Sequence, residues 1–414
     1  MELIKVDKKE LDEYVLNSNK PHYLQTSAWG EVNKERGLIP HFLLLKDNDK
    51  TIGSAMLVEK KILNYSTFYC PRGFICDYNK KENLINMISH LKKYVIKHNG
   101  LYIKIDPDII IRKLDSEGNT KEEYKDKLEL IDTLKELGGR HRGFTTKFSE
   151  SSMPRFTFRV DVTKDNLIET FHQTTRNLLK RNNPYGLKIE IGNDDNFDKF
   201  YKIMKDTAIR KQMYVEDEKF FSSFYYTLKK HCMSDLYLVS VNIEKLKEKY
   251  TSLIRTAQLE LEETKDSNKK GKINDLNDRL TKYNKELNEI NKIDKEELVL
   301  SSMITAKYKD MVWTIHGANA NELPFLNANY EMYWQIIQDA KNQGYKYVDF
   351  YGTEGKIDKS SSAYGIYNFK VRFGGDFDEF IGEFDFVTKP LANSIITTLL
   401  KIRRKIKYNL QKNS

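Results

Sequence analysis

Two regular patterns of apolar positions characterise the chain, and the first lies in residues 243–294. Apolar residues recur there at alternating steps of three and four, beginning with Ile243, Leu246 and Tyr250. The pattern is interrupted by the polar stretch 265–271 and then resumes, which is typical of a coiled-coil seam in two helices. Because this stretch ends in glycine, the sequence predicts that the helices fold back as an antiparallel hairpin.

The segments on either side of this arm are apolar and rich in β-branched residues. DLYLVSVNI precedes the arm and ELVLSSMITAKY follows it, and this composition favours strands. The two strands are predicted to pair in one sheet, from which the arm is extruded as an insertion. Nearer the N-terminus, HFLLLKD and TIGSAMLVEKK predict a further pair of strands with KDND at the turn.

The second pattern is a repeated order of strand, helix and strand. TFYCPRGF, ENLINMISHLKKYVIKHNG and LYIKIDP give this order early in the chain, and MVWTIHGAN, NYEMYWQIIQDAKNQG and YKYVDFYG give it again. Gly73 and Gly100 are 27 positions apart, as are Gly317 and Gly344. The match predicts an internal duplication in which each half is an α/β domain built on a mixed sheet.

Two further predicted helices carry basic residues. DNLIETFHQTTRNLLKRN places Arg176, Lys180 and Arg181 near a helix end, which fits an anion site and also a solvated helix C-terminus, where cations are favourable. NFDKFYKIMKDTAIRKQMY places Arg210 and Tyr214 four residues apart on one helix face. An arginine beside a phenol is suited to binding phosphate or carboxylate, although a surface pair without a ligand has the same spacing.

Composition adds a bias toward anionic partners. The 414-residue chain has a net charge of +9, which attracts nucleic acid, anionic lipid or phosphorylated substrates, although lysine-rich codon usage gives the same number. Three cysteines without repeated CxxC spacing indicate neither disulfides nor a metal site. The N-terminus lacks the apolar core of a signal peptide, so a cytoplasmic protein is expected.

The C-terminal segment LANSIITTLLKIRRKIKYNLQKNS leads from apolar residues into a basic run. Its composition is compatible with peripheral contact with the inner face of a membrane. An ordinary basic terminal helix has the same composition and is the simpler interpretation. No window of about twenty residues is apolar enough to predict a spanning helix.

Common catalytic signatures are missing, since the chain has no GxxxxGK[ST], GxGxxG, HExxH or G-x-S-x-G sequence. The stretch YNFKVRFGG instead indicates catalysis by a fixed positive charge. Phe369 and Phe373 are four positions apart and predict a short helix that two rings anchor to the core. The anchoring holds Lys370 as a fixed cation that can stabilise a developing oxyanion, with a solvent-exposed lysine as the alternative.

Taken together, these segments resemble the Fem peptidyltransferases, which add amino acids to the peptidoglycan stem peptide from aminoacyl-tRNA. The ordered series covers nearly the whole chain: LQTSAWGEVNKERG, YCPRGFICDY, LYIKIDPD, TTRNLLKRNN, the helical hairpin, HGANAN, YVDFYGTEGK and YNFKVRFGGDFDEFIGEFDF. The resemblance implies an α/β (α+β) fold of two GNAT-like acyltransferase domains with an inserted coiled-coil hairpin. The implied domains are 1–152 completed by 386–414, then 153–242 with 295–385, and the arm at 243–294.

The resemblance also implies roles for individual residues. Phe369 and Lys370 match the family's aromatic–lysine pair, which positions the acceptor and stabilises the transition state. Arg210 and Tyr214 match a pair that contacts the phosphate and sugar of the acceptor.

Other matches are less direct. Lys34 is the nearest match to a lysine that binds the acceptor's diphosphate, and Arg36 competes with it. Trp313 and Thr314 stand near the position of a further family tyrosine, so Trp313 is a candidate substrate contact.

The implied reaction uses aminoacyl-tRNA as co-substrate and no metal or other cofactor. The acceptor is lipid II or UDP-MurNAc-pentapeptide, and Fem-type proteins are implied as partners. Asp349, at a predicted strand end near this site, is a candidate proton acceptor, with substrate-assisted transfer as the alternative. Arg176, Lys180 and Arg181 are candidate contacts to tRNA phosphates. Two alternatives stay open: an acyl-CoA-dependent N-acetyltransferase, against which the missing [RQ]xxGx[GA] loop counts, and a non-catalytic tRNA-binding module.

Overall fold

The protein is described here by a computed structural model that covers residues 1–181, 183–192, 194–211, 215–264, 270–361 and 363–412. The strands are β1 (Glu2–Lys5), β2 (Ile39–Asp47), β3 (Lys50–Ile62), β4 (Tyr65–Cys70), β5 (Ile75–Cys76), β6 (Gly100–Ile105), β7 (Ile110–Leu114), β8 (Thr120–Glu123), β9 (Arg140–His141), β10 (Phe156–Asp161), β11 (Lys188–Ile191), β12 (Leu236–Asn242), β13 (Glu297–Tyr308), β14 (Met311–Asn319), β15 (Tyr347–Thr353), β16 (Asp376–Phe380) and β17 (Phe384–Val387).

The helices are α1 (Lys8–Asn17), α2 (Ser27–Glu35), α3 (Lys81–Lys97), α4 (Lys125–Glu136), α5 (Gln173–Leu179), α6 (Phe197–Lys211), α7 (Glu218–Lys230), α8 (Ile243–Thr264), α9 (Lys270–Ile290), α10 (Ala328–Asn342), α11 (Tyr364–Val371) and α12 (Pro390–Lys412). Within the residues that the structure describes, none of these helices combines the length and the apolar character needed to cross a bilayer.

The strands form two mixed sheets, which confirms the predicted α/β class. The first has the order β1-β2-β3-β4-β6-β17-β9, with β5 paired to β3, and the second has the order β11-β12-β13-β14-β15-β10-β16-β7-β8. Strand β17 comes from the C-terminal part of the chain and joins the first sheet. Strand β7 comes from the N-terminal part and joins the second sheet by pairing with β16. Sequence order alone therefore does not separate the halves, and the domain boundaries stay a prediction.

Both copies of the predicted strand–helix–strand order are present. In the closed unit, β4-α3-β6, the two strands pair in parallel along β4 from Ser66 to Cys70. In the open unit, β14-α10-β15, parallel pairing extends only from Met311 to Trp313, and the strands then separate. The two copies share element order but differ in sheet continuity.

The arm emerges between β12 and β13, which pair antiparallel as predicted. Its helices α8 and α9 pack against each other, and near their base the Tyr250 hydroxyl donates to Glu286 at 3.1 Å. The predicted breaker between them lies partly outside the described residues, at 265–269. A helical pair is thus observed, while coiled-coil packing along its whole length stays a prediction.

The predicted helix over DNLIETFHQTTRNLLKRN is shorter than expected. A 3₁₀ turn occupies Leu167–Thr170, and α5 begins only at Gln173. The interruption has a local cause, because the backbone N–H of His172 donates to the Arg372 carbonyl at 2.9 Å. This N–H is therefore bonded to the end of α11 and does not continue a helix from the preceding turn.

Candidate active site

The separation of β14 and β15 opens a cleft of about 510 Å³. Thr314 and Ile315 line it from β14, Tyr351 lines it from β15, and α11 contributes Phe369 and Lys370. We call this space the Lys370 cleft. Its position follows from the sheet, since two parallel strands that stop pairing leave a gap that side chains or a ligand can fill.

Lys370 lies inside this cleft with a relative exposure of 7%. Its Nζ donates to the carbonyl oxygens of Gly352 at 2.7 Å and Tyr351 at 3.2 Å. Burial lowers the pKa of Lys370 to about 7, and the nearby Asp349 carboxylate opposes this shift. The amine therefore changes protonation state close to physiological pH. Its predicted catalytic role stays a prediction that this position supports.

Aromatic packing holds α11 in place. The Phe369 ring contacts the rings of Tyr330 and Tyr333, with centroids 4.8 and 4.9 Å apart. Phe373 is fully buried and packs edge-on against Phe350. These contacts restrict the helix, so the lysine between the two phenylalanines has little freedom to leave the cleft.

The carbonyls that accept from Lys370 belong to an unusual piece of backbone. Tyr351 has a φ of +58°, a left-handed conformation that costs a non-glycine residue about 1 kcal/mol or more. Its N–H donates to Asp349 Oδ1 at 2.7 Å, and its carbonyl lies 3.1 Å from Thr157 Oγ1, whose single hydrogen it shares with Asp349. The neighbouring side chains thus hold the conformation that aims these carbonyls at Lys370.

Asp349 is buried, and its carboxylate accepts hydrogen bonds from several donors. Besides the Tyr351 N–H, its carboxylate accepts from the Thr157 hydroxyl and from Arg159 Nε at 2.9 Å. Arg159 in turn lies 3.3 Å from Asp108. These contacts support a role of Asp349 in positioning the Tyr351 backbone. Its role as proton acceptor stays a prediction.

A second cleft, of about 410 Å³, lies between the two halves of the molecule. We call it the Trp29 cleft, and its lining includes Trp29, Arg36, Lys60, Tyr69, Tyr102, Phe220, Phe224 and His316. Ile315 and Tyr351 line this cleft and the Lys370 cleft alike. The two clefts are therefore adjacent and share these two side chains in their walls.

Arg36 has a clearer relation to the Trp29 cleft than Lys34 does. The Arg36 guanidinium lies over the Phe220 ring at 4.5 Å and within 3.7 Å of Glu216. Lys34 is exposed on α2 and is absent from the residues that line the cleft. The geometry favours Arg36 as the residue that meets a ligand here, while the role of Lys34 stays a prediction.

The remaining predicted substrate contacts are dispersed. Arg210 is exposed and donates to the carbonyl of Asn319, a residue of the Lys370 cleft, at 3.0 Å. Tyr214 lies outside the described residues. Trp313 is buried and packs against His22 and Tyr23, with ring centroids 4.8 and 4.9 Å away. Trp313 is a packing residue in this position, and its contact with substrate stays a prediction.

The basic cluster on α5 has an internal counterion. Arg176 lies 3.3 Å and Lys180 lies 3.0 Å from the Glu169 carboxylate, while Arg181 is exposed nearby. The repulsion that favoured an external anion at this point is therefore relieved within the protein. Contact of these three residues with tRNA stays a prediction.

His316 is a residue of the Trp29 cleft that the sequence did not single out. It packs against the rings of Phe220, Phe221 and Phe224, and burial lowers its pKa to about 3. Among the residues described, its Nε2 has no hydrogen-bond partner. A neutral imidazole of this kind can bond a polar group of a ligand. The only signal in the sequence was that His316 begins the segment HGANAN.

Comparison with known proteins agrees with the sequence and the fold. A model of the FemAB family matches residues 6–401. The lipid II:glycine glycyltransferase of Staphylococcus epidermidis is 28% identical over 427 residues, which covers 98% of this chain and all of that protein. Its namesake from Staphylococcus aureus is 27% identical over 432 residues with the same coverage. The crystal structure of FemX is 26% identical with a TM-score of 0.74, and the match covers 96% of this chain and all of FemX. The predicted resemblance is confirmed, and the chain belongs to the FemAB family.

Proposed function

We propose that this protein is an aminoacyltransferase that moves an amino acid from aminoacyl-tRNA onto the stem peptide of a peptidoglycan precursor. The observation that carries the proposal is that two neighbouring clefts share the side chains of Ile315 and Tyr351, and that the Tyr351 carbonyl accepts a hydrogen bond from Lys370. A two-substrate transferase needs adjacent sites of this kind, because donor and acceptor have to approach from separate sites. The relatives named lipid II:glycine glycyltransferase support lipid II as the acceptor.

Each cleft suits one substrate. The Trp29 cleft combines aromatic rings with Arg36 and Lys60, a mixture that fits the sugar, peptide and diphosphate of the acceptor. The Lys370 cleft lies beyond Tyr351 and takes the aminoacyl end of the tRNA. The surplus of positive charge over the chain favours both polyanions. UDP-MurNAc-pentapeptide has the same diphosphate and is the soluble alternative to lipid II.

The chemistry is an attack by the acceptor's amine on the ester carbonyl of the donor. A C–N bond forms, the C–O bond to the ribose breaks, and the proton from the amine ends on the ribose oxygen. Two N–H groups of the Lys370 ammonium are bonded to Gly352 and Tyr351, so the third is left for the oxyanion that develops. The ester is already activated, which leaves alignment and charge stabilisation as the enzyme's contribution.

Mass spectrometry of the acceptor tests the proposal. The protein is incubated with tRNA charged with glycine or another amino acid, together with lipid-linked or nucleotide-linked muropeptide. The expected result is a gain of one or more aminoacyl residues on the muropeptide, lost in Lys370→Met. The same assay also identifies which acceptor is used and which amino acid is transferred.

Two other outcomes separate the alternatives. A gain of an acetyl group from acetyl-CoA, with no gain from charged tRNA, assigns the protein to the N-acetyltransferases. Binding of tRNA without any change in the muropeptide supports a non-catalytic RNA-binding module. Addition of Fem-type proteins to an inactive mixture tests whether such partners complete the enzyme.

A further inference from the structure

Two leucines distant in sequence form an exposed apolar corner on the first half of the molecule. Leu391, at the start of α12, has 84% of its surface exposed, and Leu63, in the turn between β3 and β4, has 78%. Among large apolar side chains in the described part of the chain, these two are the most exposed. Large apolar side chains at such exposure carry a cost in water unless a partner covers them.

Hydrogen bonds place the two leucines on one continuous surface. The Asn99 side chain donates to the carbonyl of Asn64, next to Leu63, and accepts from Lys389 Nζ, two positions before Leu391. Lys389 Nζ also lies 5.5 Å from the centre of the Tyr65 ring. The β3–β4 turn and the start of α12 are therefore adjacent. We call residues 62–65 together with 389–402 the leucine corner.

The helix extends this corner into a stripe. Ile395, Leu399 and Ile402 follow Leu391 at steps of four, four and three, and each has more than half of its surface exposed. Such spacing puts them on one face of α12, whereas Ile396 on another face is buried. An amphipathic helix with one apolar face packed on nothing in the described chain is suited to an interface.

The charged residues near the apolar stripe indicate which kind of partner it binds. Residues 390–414 contain no Asp or Glu, and the basic run of this segment is Lys401, Arg403, Arg404, Lys405 and Lys407. The side chains of that run lie outside the described part of the structure, but Lys60, three positions before Leu63, and Lys389, two positions before Leu391, are described. An apolar stripe bordered by cations matches anionic lipid headgroups above an acyl layer. We propose that the leucine corner docks this protein on an anionic membrane surface.

The corner adjoins the Trp29 cleft. Lys60, near the end of β3, lines that cleft and precedes Leu63 in the following turn by three positions, which span at most about 10 Å of extended chain. Docking through Leu63 thus brings the cleft close to the headgroup layer, where a lipid-linked acceptor presents its peptide. This last step rests on the proposed function, whereas docking itself does not.

Sedimentation with vesicles tests the docking. The full chain is mixed with vesicles of phosphatidylglycerol and phosphatidylcholine, or of phosphatidylcholine alone. The parent is expected to bind the anionic vesicles more strongly, and the double variant Leu63→Asn, Leu391→Gln to bind them about tenfold less. Asparagine is chosen at position 63 because it tolerates the positive φ of 54° found there. Melting temperatures confirm that both proteins are folded.

Leu259→Gln on α8 is the matched control, because Leu259 is also more than half exposed but lies on the arm. It is expected to bind as the parent does. Absence of parental binding, equal binding by the double variant, or self-association of the chain without vesicle binding overturns the proposal.

Transfer assays distinguish this proposal from the proposed function. The double variant is expected to keep transfer to a nucleotide-linked acceptor and to lose about tenfold with lipid II in vesicles, in line with its weaker binding. If neither acceptor is modified by the parent, the proposed function fails while sedimentation still decides the docking. If both acceptors are modified equally by parent and variant, docking has no part in presenting the acceptor.

Discussion

The closed unit and the open unit have the same order of elements, but one forms a continuous sheet and the other forms a cleft. In the closed unit, β4 stays paired with β6 from Ser66 to Cys70, and Phe68 and Ile103 fill the core beside it. In the open unit, pairing ends at Trp313 and Asp349, and the gap beyond them is the Lys370 cleft. The comparison teaches that one copy preserves the sheet while the other gives up pairing to form a site.

The open unit compensates for its lost pairing with side chains. The left-handed Tyr351 backbone is held by Asp349 and Thr157, and its carbonyl accepts from Lys370. Strained backbone of this kind persists only where the surroundings determine it strongly, and it is concentrated at functional positions. Four predictions test how far function depends on the open unit.

The largest effect is expected from Lys370→Met. Loss of the ammonium is expected to lower the transfer rate by about 100-fold or more. The free energy of unfolding should change little, since removing a buried amine with a lowered pKa offsets two lost bonds to backbone carbonyls. Rate measurements and urea unfolding check both parts. Lys93→Met, on the exposed surface of α3 in the closed unit, is the control and should match the parent.

Retention of parental turnover by Lys370→Met contradicts the assignment of chemistry to the open unit. A large loss of stability in that variant would also remove the interpretation, because the lost activity would then report unfolding.

Asp349→Asn is expected to lower the rate by about 30-fold, through the Tyr351 backbone. The Asp349 charge raises the pKa of Lys370, so its removal lowers that pKa further below about 7. Activity that requires the ammonium falls as pH rises through this pKa, and the falling limb should therefore move to lower pH. A pH profile of the rate checks this.

Asp310→Asn, at the other end of the strands where Asp310 pairs with Lys346, is the control. If Asp349→Asn lowers the rate but leaves the falling limb of the pH profile at the same pH, the role of Asp349 is structural only.

Arg36→Ala and Lys34→Ala sharpen the comparison by asking where the acceptor's negative charge binds. Arg36 lines the Trp29 cleft and Lys34 does not. Arg36→Ala is expected to raise the KM for the acceptor about tenfold with little change in kcat, since it removes about 1.4 kcal/mol of charge-assisted bonding. Lys34→Ala should change KM by about twofold or less. Steady-state kinetics with varied acceptor concentration measure both KM values. A larger increase in KM for Lys34→Ala than for Arg36→Ala would identify Lys34 as the diphosphate contact.

The smallest effect concerns His316, which lies on β14 beyond the point where pairing ends. Its folded pKa of about 3 lies below the unfolded value near 6.5. Below pH 6.5 the unfolded state binds a proton that the folded state does not, so stability falls as pH decreases toward 3. Between pH 7.5 and about 5.8 the parent should lose about 1 kcal/mol more than His316→Phe. Urea unfolding at both pH values checks the difference, and identical losses show that the imidazole is solvated.

Local patterns were sufficient for much of the fold. The apolar period of the arm, the strands on either side of it and the duplicated strand–helix–strand order are encoded within short segments, so they could be predicted. The helix over 165–182 was predicted too long because its interruption depends on a bond from His172 to Arg372, a partner distant in sequence. The exchange of β7 and β17 between sheets is likewise a pairing that no local pattern records.

By itself, the sequence determined the identity of the elements, the family and the presence of a lysine between two phenylalanines. The tertiary structure decided that this lysine is buried against two carbonyls, that Asp349 is held by Arg159 and Thr157, and that two clefts share Tyr351 in their walls. The physical reason is that periodicity reports which face of an element is apolar. Protonation state, hydrogen-bond partners and cavity shape depend on which distant groups share the same space.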